Sequence, residues 1–464
     1  MERQLKTPQR IGEVAKAGAT LIRTETPRPS AVTRAVVTIL VGISAGLCGM
    51  ALALLLHAIQ HIAYGYSLDA VIGPQSFLQG VSGAKPERRV AVMMVCGLVA
   101  GCGWWSVYRF GAPLVSIKKS VDASGSRMPL GATTSHALLQ IITVALGSPL
   151  GREVAPREMG ALLAGWLSHK AGLSAADVKI MVACGAGAGL AAVYNVPLAG
   201  ALFALEALLG SFAPAAVVPA LCTSAIATVV AWVGLGDVPQ YSIPKLEVTP
   251  SLVVLSVFCG PLFGLAGYWY SQLATIVRKK ALRGWRMIVG CLVVFCGIGV
   301  LSIHFPQLLG NGKGPLQEGF DSNLPLDLAL PLLAVKLVAT TGSLWAGGEG
   351  GLLTPGMTIG ALLAICLANI WNLALPTITP GAFAIIGATA FLSSSMRMPI
   401  TAIALIFEFT GVGQDFFIPI SIAVAGASLV PIIQASPRPW HSLAFDFRAM
   451  KETNGTKKLG ANNA

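Results

Sequence analysis

The sequence predicts an all-α polytopic membrane protein with an inverted repeat and many tilted or discontinuous helices, and three observations support this prediction. Hydrophobic residues make up 54% and charged residues 11% of the 464 residues, with a mean hydropathy of +0.72, which leaves too little polar surface to cover a soluble protein. Apolar stretches recur from about residue 32 to about residue 434, and several reach the roughly 20 residues of a membrane-spanning helix. The 52 glycines and 28 prolines interrupt these stretches, as expected where helices end inside the membrane.

The connecting segments carry much of the positive charge. The formal net charge is +12, and basic residues flank the apolar runs at 85–89, 118–119 and 278–286. The positive-inside rule predicts that these loops are cytoplasmic, in a multi-pass protein of a cell membrane such as the bacterial inner membrane. Because Lys and Arg are not gathered on one surface, nucleic acid is not expected as a partner. Residues 1–31 are expected to form a basic cytoplasmic segment, and residues 446–464 a short polar tail.

An internal repeat at an offset of about 200 residues divides the apolar region. The pentapeptide Gly-Ala-Leu-Leu-Ala occurs at 160–164 and again at 360–364, each time a few residues after a glycine-rich turn that contains proline. Three further positions recur with spacings of twelve and nine residues in both copies: Gly185, Pro197 and Glu206, then Gly387, Pro399 and Glu408. We interpret residues 32–235 and 236–445 as two membrane repeats, as in many transporters. A compositional bias towards Gly, Ala and Leu is the alternative explanation.

The glycine-rich turns at 151–156 and 350–355 each stand at the start of a predicted helix. A helix N-terminus presents unpaired N–H groups and the positive end of the helix dipole, which favour an anion, and glycine lets the backbone approach it closely. Two such turns, related by a twofold axis in the membrane plane, would share one anion near the midplane. A cation is disfavoured there unless carboxylates or helix C-termini supply negative charge.

Three short motifs resemble those of the CLC family of chloride channels and chloride/proton exchangers, and they occur in the family's order. Residues 125–129 (GSRMP) resemble G-S-G-I-P, residues 151–156 (GREVAP) resemble G-R-E-G-P, and residues 351–355 (GLLTP) resemble G-x-F-x-P. The stretches 185–200 and 397–401 are also similar to the family. The resemblance spans about residues 35–445 and implies the CLC-type inverted-repeat fold, of the bacterial type without a folded cytoplasmic regulatory domain.

The resemblance implies roles for two groups of residues. Ser126 would donate its hydroxyl to a central anion, as a neutral donor that does not trap the ion, and the backbone amides of Leu352 and Leu353 would complete the site. Glu153 would be the gate, whose carboxylate competes with the anion and leaves when protonated; simple pairing with Arg152 or Arg157 is the alternative. The residues predicted for the anion are Gly125, Ser126, Gly351, Leu352, Leu353 and His441, and those for the gate are Arg152 and Glu153.

Two departures from the family pattern bear on the mechanism. Exchangers of the family commonly carry an inner glutamate directly after the position of Glu206, and this sequence has Ala207 there. Glu206 is either a substitute proton acceptor or, as its repeat partner Glu408 suggests, a structural residue that bonds exposed backbone groups near a helix end. Residues 438–442 (RPWHS) resemble K-P-L-Y-S and place His441 where the family has a tyrosine. A histidine that becomes cationic near neutral pH would bind the anion more tightly, and a surface histidine is the alternative.

These observations predict transmembrane transport of chloride or a similar small anion through a CLC-type pore, in a homodimer with one pore per subunit in the lipid bilayer. The missing inner acid favours a uniporter or a poorly coupled exchanger over a tightly coupled chloride/proton antiporter. A cation or organic-solute transporter that uses Glu206 and Glu408 is a less favoured alternative. The sequence has neither an H-E-x-x-H nor a G-x-S-x-G motif, so no catalysis, metal or other cofactor is expected.

Overall fold

Helices account for most of the structure. The computed structural model describes residues 30–67, 71–73, 75–122, 127–375 and 378–435. The helices, numbered in chain order, are α1 (Ala31–Tyr64), α2 (Phe77–Gly83), α3 (Pro86–Phe110), α4 (Ile117–Asp122), α5 (Leu130–Ala145), α6 (Val154–Lys170), α7 (Ala175–Tyr194), α8 (Pro197–Leu202), α9 (Pro214–Leu235), α10 (Pro250–Lys279), α11 (Trp285–Leu301), α12 (Lys313–Phe320), α13 (Leu326–Ala346), α14 (Leu353–Trp371), α15 (Pro380–Met396), α16 (Pro399–Thr410) and α17 (Phe417–Ala435). A π-helical segment, Phe203–Leu209, continues α8, and short 3₁₀ turns lie at Pro306–Leu308 and Gln414–Phe416.

Eight helical segments in the described part of the chain are long and apolar enough to cross a membrane. They are interspersed with shorter apolar helices, such as α5, α8 and α16. Extended pairing within the described residues is limited to one bridge, between Gly151 and Gly351. The predicted all-α class and the predicted multi-pass architecture are therefore confirmed.

Equivalent glycines of the two predicted repeats lie where two helices cross closely. In the first half, α6 crosses α7 so closely that a Cβ on Gly160 would lie 2.1 Å from the carbonyl oxygen of Gly185. In the second half, α14 crosses α15 with the corresponding distance, from Gly360 to the oxygen of Gly387, at 2.7 Å. Because small residues let helix backbones approach within a membrane protein, these glycines explain why the pentapeptide at 160–164 recurs at 360–364.

Two short helices begin at equivalent prolines. Pro197 starts α8 and Pro399 starts α16, and proline suits a first helical position because its missing N–H would have no intrahelical partner there. The two helices, one from each half, pack against each other. The paired crossings and paired helix starts support the predicted duplication, and the boundary between the halves at residue 235 stays a prediction.

Candidate functional site: a carboxylate in a two-helix cradle

The turns that precede α6 and α14 meet in the interior of the protein. The N–H of Gly151 donates to the carbonyl oxygen of Gly351 at 2.7 Å, and the N–H of Gly351 donates to the carbonyl oxygen of Gly151 at 2.8 Å. This exchange of hydrogen bonds is the pattern that a twofold axis between the turns would produce. The predicted convergence of the two helix starts is therefore confirmed, and we refer to residues 151–153 with 351–353 as the cradle.

Glu153 projects from one half of the cradle into the other. It is the residue just before α6, yet its side chain makes no capping bond to its own helix. Instead, its Oε1 accepts the N–H of Leu353 at 2.8 Å, at the start of α14. Glu153 and Leu353 are both almost completely buried, at 1% and 0% exposure. The carboxylate therefore occupies a place where a helix N-terminus of the opposite half favours negative charge.

Glycine at both turns makes room for this carboxylate. A Cβ on Gly351 would lie 1.8 Å from Oε1 of Glu153, and a Cβ on Gly151 would lie 2.1 Å from Oε2. Both distances are far below any non-bonded contact. The cradle thus holds the carboxylate only because these two positions carry no side chain.

Two hydroxyl groups and an arginine complete the surroundings of Glu153. The hydroxyl of Tyr194, at the end of α7, lies 3.5 Å from Oε2 of Glu153 and 3.4 Å from the hydroxyl of Thr354. The guanidinium of Arg152 lies over the ring of Tyr194, 5.2 Å from its centroid. In the described residues the ion pairs are Arg34–Asp177 and His136–Glu158. Simple pairing of Glu153 with Arg152 or Arg157 is therefore not what the structure shows.

Glu206 and Glu408 bond the starts of helices in opposite halves. The carboxylate of Glu206 accepts the N–H groups of Ile400 and Thr401 at 3.0 and 2.7 Å and the hydroxyl of Thr401 at 2.6 Å, at the start of α16. The carboxylate of Glu408 accepts the N–H groups of Leu198 and Ala199 at 2.8 and 2.7 Å, at the start of α8. Ala207 follows Glu206 in the π-helical segment. Both carboxylates thus serve as caps for exposed backbone donors.

Comparison with known proteins identifies the family. The family model described as voltage gated chloride channel matches residues 96–431, most of the chain. The chain belongs to this family. It is 27% identical over 354 residues to the voltage-gated ClC-type chloride channel ClcB of Citrobacter koseri, covering 72% of this chain and 82% of the relative. It is 28% identical over 373 residues to the H(+)/Cl(-) exchange transporter ClcA of Vibrio campbellii, covering 74% of this chain and 76% of the relative.

Solved CLC structures share the fold. A slow cyanobacterial Cl-/H+ antiporter superimposes with a TM-score of 0.73 at 21% identity, over 89% of this chain and 97% of that one. A CLC-type fluoride/proton antiporter superimposes with a TM-score of 0.66 at 19% identity, over 86% of this chain and 95% of that one. The resemblance stated from the motifs is thus confirmed at the level of family and fold.

Three residues that the CLC motifs implied for the anion lie outside the described residues: Gly125, Ser126 and His441. The next residues after Ser126, Arg127 and Met128, line a cavity of about 610 Å³ together with Leu162 and Trp166 in the C-terminal half of α6. Leu162 follows Glu153 by nine residues, which is roughly 13 Å along a helix. Arg127 and Met128 thus line a cavity on the far part of α6, and the anion role of Ser126 stays a prediction.

A small polar cavity beside the cradle contains residues that the sequence analysis did not select. It measures about 100 Å³, and its lining includes Tyr108, Arg278, Arg283 and Glu349. The hydroxyl of Tyr108 donates to Glu349 at 2.7 Å, and Arg278 donates to the carbonyl oxygen of Gly350 at 2.8 Å. Glu349 precedes the cradle residue Gly351 by two positions. The feature of the sequence that could have identified this cavity is an acidic residue, Glu349, inside the glycine-rich run 347–351.

Proposed function

We propose that this protein transports chloride, or a similar small anion, across the cell membrane through the cradle, with Glu153 as the gate. The observation that carries this proposal is the 2.8 Å bond from the N–H of Leu353 to the buried carboxylate of Glu153. A carboxylate in that place has the charge and the acceptor atoms of a bound anion. An anion that enters the cradle must therefore displace it.

Protonation is the event that releases the gate. A neutral carboxylic acid is a weaker acceptor for a helix N-terminus than a carboxylate is. Acid pH therefore favours departure of the side chain and leaves the N–H of Leu353 free for the anion. Leu352 and Gly351 supply the adjoining backbone, and the buried guanidinium of Arg152, over the ring of Tyr194, adds positive charge near the cradle.

Chloride is the preferred candidate among anions. The relatives from Citrobacter koseri and Vibrio campbellii are named as a chloride channel and as a proton/chloride exchange transporter. Transport by such proteins involves no catalytic conversion of the ion, so we do not expect an enzyme. Coupled exchange of chloride for protons is the second candidate, because release of Glu153 loads a proton at the same step that opens the cradle.

Chloride efflux from liposomes that contain the purified protein tests the proposal. We expect efflux that increases as the pH falls, and we expect chloride or bromide to raise the melting temperature of the protein in detergent, because a ligand of the native state stabilises it. Sodium as the stabilising ion, with no chloride efflux, would instead favour the cation or solute transporter. Cross-linking in the membrane tests the homodimer that the sequence predicts.

A further inference from the structure

A second group of ionisable side chains is buried in the first half, away from the cradle. His136 and Gln140 lie one turn apart on α5 and face Glu158 of α6. The Nδ1 atom of His136 lies 2.7 Å from Oε2 of Glu158, and Nε2 of Gln140 lies 2.8 Å from that Nδ1 and 3.3 Å from that Oε2. The ring of Trp104, on α3, lies 5.0 Å from the imidazole, between ring centroids. We call these four residues the histidine cluster.

The short contact requires a proton between the two residues. Nδ1 of a neutral imidazole and an oxygen of a carboxylate are both acceptors unless one of them carries hydrogen, so a 2.7 Å separation holds a shared proton. Taking up one more proton changes the net charge of the pair from −1 to 0. The amide of Gln140 can donate to Oε2 of Glu158, which keeps a free lone pair whether or not it carries the shared hydrogen. The cluster therefore accommodates the proton on either residue.

The burial of His136 and Glu158 is energetically unfavourable if the pair has only a structural role. The side chains of His136 and Glu158 are 9% and 14% exposed, and a buried ion pair often stabilises a protein less than apolar side chains of similar volume would. Ionisable residues within a membrane region are therefore first considered as functional. In addition, Oε1 of Gln140 and Nε1 of Trp104 are buried without a hydrogen-bond partner among the described residues. A water molecule that bridges to the pair would satisfy both groups.

The cluster lies to one side of the gate along α6. Glu158 follows Glu153 by five residues, which is roughly 7.5 Å of helix rise, in the direction of Lys170 at the end of α6. Lys170 shares its cavity with Ser120, next to the basic pair 118–119. This region lies at the start of α1, where Arg34 pairs with Asp177, whereas Arg88 bonds the end of α1 at Ala63. The prediction that 85–89 and 118–119 are both cytoplasmic is therefore wrong, and we take the side of 118–119, where α1 begins, as the cytoplasmic one. The cluster thus lies between the gate and the predicted cytoplasmic surface.

We propose that the histidine cluster is a proton-binding site, which takes up and releases the proton that accompanies anion transport on the cytoplasmic side of Glu153. The proposal rests on the second candidate of the proposed function, the coupled exchange of chloride for protons. A proton from the cytoplasm joins the pair and later leaves for the carboxylate of Glu153, while chloride moves the opposite way. The other ionisable groups on α6 and on the helices packed against it include Arg157, which follows Glu153 by one turn, Cys48 and His57 of α1, and Cys96 of α3.

The test measures chloride and proton movement together in liposomes that contain the full chain. In wild type, we expect protons to enter against their gradient as chloride leaves. Glu158→Gln keeps the size of the side chain and removes its proton exchange, so proton entry should fall about tenfold or more while chloride efflux persists. Glu318→Gln, which changes a half-buried carboxylate on α12, is the matched control and should leave both movements unchanged.

The outcomes separate this inference from the proposed function. Chloride efflux without proton entry in wild type overturns the proton-binding role and leaves the chloride pathway standing. An unchanged ratio of protons to chloride in Glu158→Gln overturns it as well. If Glu158→Gln does not yield folded protein, the ratio of protons to chloride is measured in His136→Gln instead, and an unchanged ratio overturns the proton-binding role. Absence of chloride efflux from wild type contradicts the proposed function itself.

Discussion

Replacing Glu153 with glutamine tests the gate most directly. The substitution keeps the length of the side chain and removes its negative charge. In wild type the carboxylate holds the N–H of Leu353 at 2.8 Å, and an anion competes for the same group. With glutamine, the competing group is a neutral amide oxygen at every pH.

The size of the effect follows from that one bond. A hydrogen bond to a charged group contributes about 1.5–3 kcal/mol, and a neutral one about 0.5–1.5 kcal/mol. The difference of about 1–1.5 kcal/mol corresponds to roughly a tenfold change in the competition between the side chain and the anion. Burial strengthens the charged bond further, so tenfold is a lower bound. We therefore expect chloride efflux at neutral pH to rise roughly tenfold or more, and its dependence on pH to become flatter.

Chloride efflux from liposomes, measured at acid and neutral pH, supplies the assay. Glu247→Gln is a matched control, because Glu247 is an exposed carboxylate in the connection between α9 and α10. Wild-type rates and a wild-type pH profile in Glu153→Gln would refute the assignment of the gate. A flat profile in the control as well would show that surface charge, not the cradle, controls the flux.

Three further substitutions test separate parts of the structure. Gly351→Ala should expel the gate carboxylate, since its Cβ would lie 1.8 Å from Oε1, and should flatten the pH profile of efflux, whereas Gly356→Ala, with its nearest contact at 3.7 Å, should not. Glu206→Ala and Glu408→Ala should each lower stability by about 1–3 kcal/mol, seen as a lower melting temperature; equal stability with a lost proton flux would contradict the capping role. Ser126→Pro removes the hydroxyl that is predicted to donate to the anion, and it should shift the selectivity from chloride towards nitrate; an unchanged selectivity would contradict the anion role of Ser126.

The sequence predicted the features that recur in both halves of the fold, because each of them requires a particular residue type at a particular place. Gly160 and Gly360 recur because both sit where helix backbones touch, and Pro197 and Pro399 recur because both open short helices. Offsets and spacings record such constraints directly. The cradle followed from the same repeat, since Leu353 lies 200 residues after Glu153 and is also its hydrogen-bond partner.

The sequence did not predict which residues bond each other across the two halves. Glu206 was expected near a helix end, but nothing in its neighbourhood indicated that the helix begins almost 200 residues later, at Pro399. The histidine cluster was missed for a similar reason. His136 and Glu158 stand on different helices, and neither belongs to a motif or to the repeat, so only the packing of α5 on α6 brings them together.

In the described part of the chain, a carboxylate bonds the start of a helix in the opposite half at three places, and the number of bonds that hold it differs. Glu206 is held by two N–H groups and a hydroxyl at 2.6–3.0 Å, and Glu408 by two N–H groups at 2.7 and 2.8 Å. Glu153, in the described part of the chain, accepts one N–H at 2.8 Å and a tyrosine hydroxyl at 3.5 Å. Because each bond to a charged acceptor adds stability, the two caps are held firmly and the gate loosely. A carboxylate with few bonds, pressed against two glycines, is the one that a proton or a competing anion can displace.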